Sequence, residues 1–226
     1  MFDRIFVINL NRRQDRWEQF RRMLPSNWPF SDPERWTAVD GTAVNIPSWY
    51  RCTRGSWGCL QSHLGIWREQ IKKKWQSVLV LEDDVVFTRD AVAVMLRTME
   101  MVSDDWDQIY FGGQHLDTNE HPPEVVVQDS LIRCRYVNRT HAYAIRLPFA
   151  RVAKKAISGP SKRPPIKQQV DYRLGELHMQ ERYHIYAPWR FCCGQARGYS
   201  DVCYSRPGSL RGKHVVEQFW NRFPIV

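Results

Sequence analysis

Long apolar runs are missing from this 226-residue chain; the longest stretches, around Ile5–Leu10 and Val78–Leu81, have the length of strands. Crossing a bilayer takes roughly 20 consecutive apolar residues, so no membrane span is expected. The amino terminus carries no extended apolar segment leading to a small-residue cleavage site, so no secretory signal is expected either. No internal repeat is visible. Glycine is sparse at 12 residues, while 43% hydrophobic and 25% charged residues match ordinary globular usage, which excludes a collagen-like repeat or a disordered chain. The six cysteines (Cys52, Cys59, Cys134, Cys192, Cys193, Cys203) include no pair at two-residue spacing, which argues against a zinc knuckle. Without an export signal they read as thiols rather than a disulfide framework, and cytoplasm is the expected compartment. Acid is in deficit: 24 Asp+Glu face 33 Lys+Arg, a net charge of +9. That balance calls for an anionic partner, whether nucleotide, phosphorylated glycan, nucleic acid or lipid head group, without choosing among them.

What is present alternates between strand and helix patterns. Phe2–Leu10 and Val78–Leu81 read as buried strands, and Gln108–Phe111 as a third that stops at Gly112-Gly113. Val125–Val127, Ile132–Tyr136, His141–Ile145 and Tyr183–Tyr186 read as further strands. Helical spacing marks Asn11–Leu24, a segment around Leu60, Leu64, Trp67 and Ile71, then Asp90–Val102, Pro148–Ile157 and Gln168–Met179. Residues 25–56 are loop-like, Ser161–Pro165 is a proline-bounded flexible loop, and Gly194–Lys213 is basic and irregular. The expectation is an α/β domain over residues 1–226, with a mostly parallel central sheet flanked by helices and a basic irregular segment from about 194. Ligands of such a sheet sit at the carboxyl ends of its strands.

Chemistry concentrates at Glu82-Asp83-Asp84, between the apolar runs of VLVLEDDVVF. Three adjacent carboxylates at a core edge repel one another unless a cation or donors compensate. Mg²⁺ or Mn²⁺, held by one or two carboxylates and completed by substrate phosphates, suits the pattern; a solvated acidic turn is the plain alternative. Asn9, Arg12, Arg13 and Arg16 follow the first strand, where guanidinium forks suit phosphate oxygens. Asn9 and Arg12 are the stronger candidates, whereas Arg16 and Arg21 read as a solvated helix face.

Several ordered blocks resemble glycosyltransferase family 25, which includes bacterial lipooligosaccharide and procollagen galactosyltransferases. They are Ile8-Asn9-Leu10-Asn11-Arg12-Arg13 with Asp15-Arg16, Ala38-Val39-Asp40-Gly41, Gly58-Cys59-Leu60-Gln61-Ser62-His63, Leu79–Val85, Asp107–Gly113, Thr140–Ile145 and Val170-Asp171-Tyr172. The resemblance implies a GT-A type fold, a UDP-sugar donor, a divalent metal (Mn²⁺ or Mg²⁺) and inversion at the anomeric carbon. On that footing Asp84 contacts the metal, while Asp83 and Glu82 serve ribose, base or metal-bound water. Ser62 and His63 hydrogen-bond donor phosphate or sugar, with a satisfied structural histidine as the competing reading. Asp171 is the expected base that takes the acceptor proton, Asp201 is its reserve, and His214 completes the metal shell.

The function so implied is transfer of a hexose, galactose or glucose, to a hydroxyl of lipooligosaccharide or another anionic glycan, with peripheral contact at the inner membrane face. Competing readings are a transferase acting on hydroxylated DNA bases or protein, and a non-catalytic nucleic-acid-binding protein suited to the +9 charge. A two-metal phosphoesterase would need more ligands than the sequence places together.

Overall fold

The computed structural model describes residues 1–196. An eight-stranded sheet in the order β2-β1-β3-β8-β5-β9-β7-β6 forms its centre. Its strands are β1 (Arg4–Asn9), β2 (Glu34–Thr37), β3 (Ser77–Glu82), β5 (Gln108–His115), β6 (Glu124–Val127), β7 (Leu131–Arg133), β8 (Val137–Arg146) and β9 (Ile185–Pro188). Six of the eight point the same way; β8 and β7 run against them. The α/β fold with a mostly parallel central sheet flanked by helices is the one expected. Strands β4 (Val85–Phe87) and β10 (Cys193–Gln195) add a small antiparallel pair beside the end of β3.

The near-continuous apolar character of β1 and β3 follows from coverage on both faces. Phe6, Ile8, Val78 and Val80 point into one core with α2 (Arg54–Lys73), α4 (Leu147–Ile157) and α5 (Val170–His178). Ile5, Val7, Leu79 and Leu81 point into the other, with α1 (Gln14–Met23) and α3 (Ala91–Met101). Alternation along each strand thus feeds two cores rather than one core and solvent. Helix α2 starts earlier than its apolar spacing indicates, because Thr53 accepts the Ser56 N–H at 3.0 Å and caps it.

Three differences from expectation have local causes. Strand β5 runs through Gly112-Gly113 instead of stopping there: a Cβ on Gly112 would stand 2.3 Å from His141 Nε2, so these glycines admit close neighbours rather than a turn. Strand β2 is a half-exposed edge without an apolar run, and β4 and β10 have three residues each, so periodicity could not reveal them. The loop before the 3-10 turn Pro165–Gln168 is tied back, since the buried Gln168 amide donates to Ser161 O and Arg163 O at 3.2 and 3.0 Å.

The segment Ala38–Gly41 lies directly on the first turns of α2. A Cβ on Gly58 would stand 2.3 Å from Val39 O, and one on Gly41 only 1.7 Å from Arg54 O. Ser62 completes the junction, accepting the Val39 N–H at 2.9 Å and donating to Gly58 O at 2.7 Å. Gly58→Ala is therefore expected to lower unfolding stability by about 1–3 kcal/mol, as overpacking does, read from the denaturation midpoint at unchanged slope.

Candidate active site

The carboxyl ends of β1 and β3 open into a cleft of about 280 Å³. Leu10, Arg12 and Arg16 line one side, residues 38–42 and the first turns of α2 another. Glu82, Asp83 and Asp84 form its floor, with Arg139, Thr140, Asp171 and Gln195 facing in. Of the residues singled out from sequence, Arg12, Ser62, Glu82, Asp83, Asp84 and Asp171 line this cleft. His214 and Asp201 lie outside the described residues.

The remaining assignments change. Asn9 is buried behind the triplet: its amide donates to Asp83 Oδ2 at 2.6 Å and to Arg13 O at 2.9 Å, and its carbonyl accepts from Arg35 at 2.8 Å. Its amide thereby orients Asp83. Arg13, at the start of α1, turns to Asp15 at 2.8 Å and does not line the cleft. Arg16 is not on a solvated face. Its guanidinium lies 3.2 Å from Asp83 and 3.9 Å from Asp84, and its side chain is 15% exposed. The signal that could have found it is electrostatic, because three clustered acids demand a cation close by. Arg12 is held at the rim by Asp40 at 2.9 Å. The Ser62 hydroxyl is consumed by the junction already described.

His63 is fully buried and is not among the residues that line the cleft. Its Nδ1 is 2.9 Å from Tyr143 Oη, and its Nε2 faces Glu82 at 3.6 Å. Glu82 also accepts from Thr140 Oγ1 at 2.8 Å. Arg139 and Thr140, not singled out from sequence, arrive through irregular pairing of β8 with β5. Arg139 adopts φ 77°, a left-handed conformation that a non-glycine residue holds only when its surroundings require it.

Burial and mutual repulsion drive the carboxyl groups of the triplet apart. Burial raises Glu82, but the neighbouring His63, His141 and Thr140 outweigh it, and the group sits below its ordinary range. Asp83 is raised by burial, against the pull of Arg16 and Asn9. Asp84 is pushed up to about 7 by burial and by the charges of Glu82 and Asp83, opposed by Arg16 and Gln195. Its Oδ1 is buried without a hydrogen bond. An orphaned carboxylate oxygen beside two further carboxylates fits a hard divalent cation that keeps positions for substrate phosphates. Asp171, in the first turn of α5, is raised by burial and held by the N–H of Tyr172 at 2.9 Å and by Arg139. A carboxyl with a raised pKa is suited to accept a proton.

The Asp84 shift has a stability consequence. A folded pKa of about 7 against 3.8 unfolded means that the native state holds a proton the unfolded chain has lost, so stability falls as pH rises from 4 to 7 and then levels. Without divalent metal, Asp84→Asn is expected to stabilise the chain by about 2–4 kcal/mol at pH 8, the gain shrinking toward pH 5; urea unfolding across that range reads it.

Comparison with known proteins agrees with the blocks noted in the sequence. Residues 2–155 match glycosyltransferase family 25 (LPS biosynthesis protein). The chain is 33% identical over 169 residues to procollagen galactosyltransferase 2 of Mus musculus, covering 66% of this chain and 27% of that protein. It is 36% identical over 204 residues to inactive glycosyltransferase 25 family member 3 of Homo sapiens, covering 80% and 33%. The chain therefore spans only about a quarter to a third of the length of these relatives. Among solved structures, a glycosyltransferase involved in glycosylation of the major capsid of PBCV-1 aligns at TM-score 0.43 and 9% identity over 82% of each chain. The match over residues 2–155, together with these relatives, places the chain in glycosyltransferase family 25.

Proposed function

We propose that this chain is an active, inverting glycosyltransferase that moves a hexose, galactose or glucose, from a UDP-sugar to an acceptor hydroxyl with the help of Mn²⁺ or Mg²⁺. The observation that carries the reading is the cleft floor, where Asp84 presents an unpartnered oxygen beside Asp83 and Glu82 under the guanidinium of Arg16. Family membership alone does not decide activity, since one of the relatives is named inactive.

In this reading the donor diphosphate lies between Arg12 and Arg16, whose forks match its oxygens. A divalent cation on Asp84, when bound, neutralises charge developing on the departing UDP. Asp171 accepts the proton of the acceptor hydroxyl as its oxygen bonds to the anomeric carbon and the bond from that carbon to UDP breaks. Arg139 and the Tyr172 N–H fix the Asp171 carboxylate for that task. Thr140 donates to Glu82 Oε1, which leaves the other carboxylate oxygen to accept hydrogen bonds from ribose or base.

For the acceptor we favour an anionic glycan of the lipooligosaccharide type, reached in the cytoplasm at the inner membrane face. The +9 charge supports it, with Lys162 and Arg163 exposed in the loop that leads toward α5. No helix among the described residues is long and apolar enough to cross a membrane. A protein acceptor is the second reading, because the matched relatives include procollagen galactosyltransferases. Nucleic-acid binding without catalysis has the net charge, the basic segments at both ends of the chain and the aromatic content in its favour, but a polyanion gains nothing from an acidic cleft floor.

UDP release from UDP-galactose and UDP-glucose with Mn²⁺, against glycan and peptide acceptors, tests the assignment. Asp84→Ala is expected to abolish transfer; undiminished turnover in EDTA would refute the metal assignment. Asp171→Asn is expected to lower kcat by about 10²–10⁴-fold while the donor still raises Tm, whereas wild-type kcat in that variant would assign the base elsewhere.

A further inference from the structure

We propose that Cys59, His63 and Glu82 form a second, chemically distinct metal site at the inner wall of the cleft, for a borderline transition ion, with zinc(II) as the natural occupant. Their ligand atoms all lie within 4.8 Å of one another. Cys59 and His63 stand four residues apart on α2 and therefore share a face, opposite the last residue of β3. Cysteine-to-cysteine spacing could not show this set, because it has one thiol and its third member comes from a strand.

The histidine carries the argument. His63 is fully buried, yet its Nε2 makes no hydrogen bond. The nearest acid oxygen, Glu82 Oε1, is at 3.6 Å, too far for a hydrogen bond. It is the separation of two ligands on one ion: bonds of about 2.0–2.2 Å at a tetrahedral angle set N and O roughly 3.3–3.6 Å apart. Support from behind is already built. Tyr143 Oη accepts from Trp67 Nε1 at 3.1 Å and lies 2.9 Å from His63 Nδ1, where an Nδ1–H donated to it turns the Nε2 lone pair toward Glu82. Thr140 donates to the same Glu82 oxygen, Oε1, at 2.8 Å and fixes its position. Such outer partners orient ligands in metal centres.

Thiolate and imidazole select zinc or cobalt over manganese or magnesium, whereas Asp84 offers only oxygen. Cys59 and Glu82 line the cleft, so a fourth position on the ion faces it, as in sites that keep an open coordination place.

Cobalt(II) titration of the chelator-dialysed full chain tests this, because thiolate ligation gives a charge-transfer band that oxygen ligands do not. Stoichiometric uptake with that band is expected, retained in Asp84→Asn and in excess Mn²⁺. Cys59→Ser should remove the band and weaken uptake by at least the roughly 10–100-fold that loss of a supporting partner costs. Absence of the band, or its survival in Cys59→Ser, would overturn the site and leave His63 as a packing group. Should a variant fail to fold, zinc(II) protection of Cys59 from alkylation in the wild-type chain, mapped by mass spectrometry, decides it: protection supports the site and unchanged labelling refutes it. Neither readout uses donor or turnover, so failure here is separate from failure of the transferase reading.

Discussion

Three carboxylates at the end of a fully buried strand are the constraint around which this structure is arranged. Strand β3 is covered on both faces, so Glu82, Asp83 and Asp84 emerge from a low-dielectric core with little water to screen them. Each is given a different environment. Glu82 receives Thr140 and His63, Asp83 receives Asn9 and Arg16, and Asp84 keeps one oxygen without a partner. Burial, together with the repulsion left over after this division, falls on Asp84, whose proton affinity rises to match. A group so placed costs stability once its proton is lost.

The rest of the cleft is fitted to this floor by close backbone contact. Gly41 and Gly58 let the loop after β2 lie on α2 without side chains between them, and Ser62 fastens it. That contact sets the wall carrying Arg12, through Asp40, at the same time as it sets the face of α2 that carries Cys59 and His63. On the opposite side, irregular pairing of β8 with β5 and the left-handed Arg139 bring Thr140 to Glu82 and Arg139 to Asp171. The acidic triplet and the face of α2 that carries Cys59 and His63 thus meet at one strand end.

Much of the architecture was legible because it rests on long, regular patterns. The buried runs of β1 and β3, the apolar face of α2 and the proline-led start of α4 announce themselves at periods of two and 3.6 residues. Strand β2 escaped because an edge strand needs no apolar run, and Gly112-Gly113 misled because glycine marks close approach as well as turns. At the site, the acidic triplet stood out since three adjacent charges are conspicuous in any sequence. Arg16 did not, because one arginine among five between positions 12 and 22 looks like helix surface until the fold shows which one faces the acids.

By itself, then, the sequence determined the alternation of strands and helices, the acidic end of β3 and the ordered blocks of its family, all of which are local along the chain. Only the tertiary structure decided which side chains meet. It turned Asn9 and Ser62 into supports, sent Arg13 to Asp15, brought Arg16 and Asp171 into one cleft, and set Cys59 and His63 against Glu82. The physical reason is that charge pairing, desolvation and ligand geometry act over a few ångströms of space between residues far apart in the chain, and periodicity carries no record of those distances.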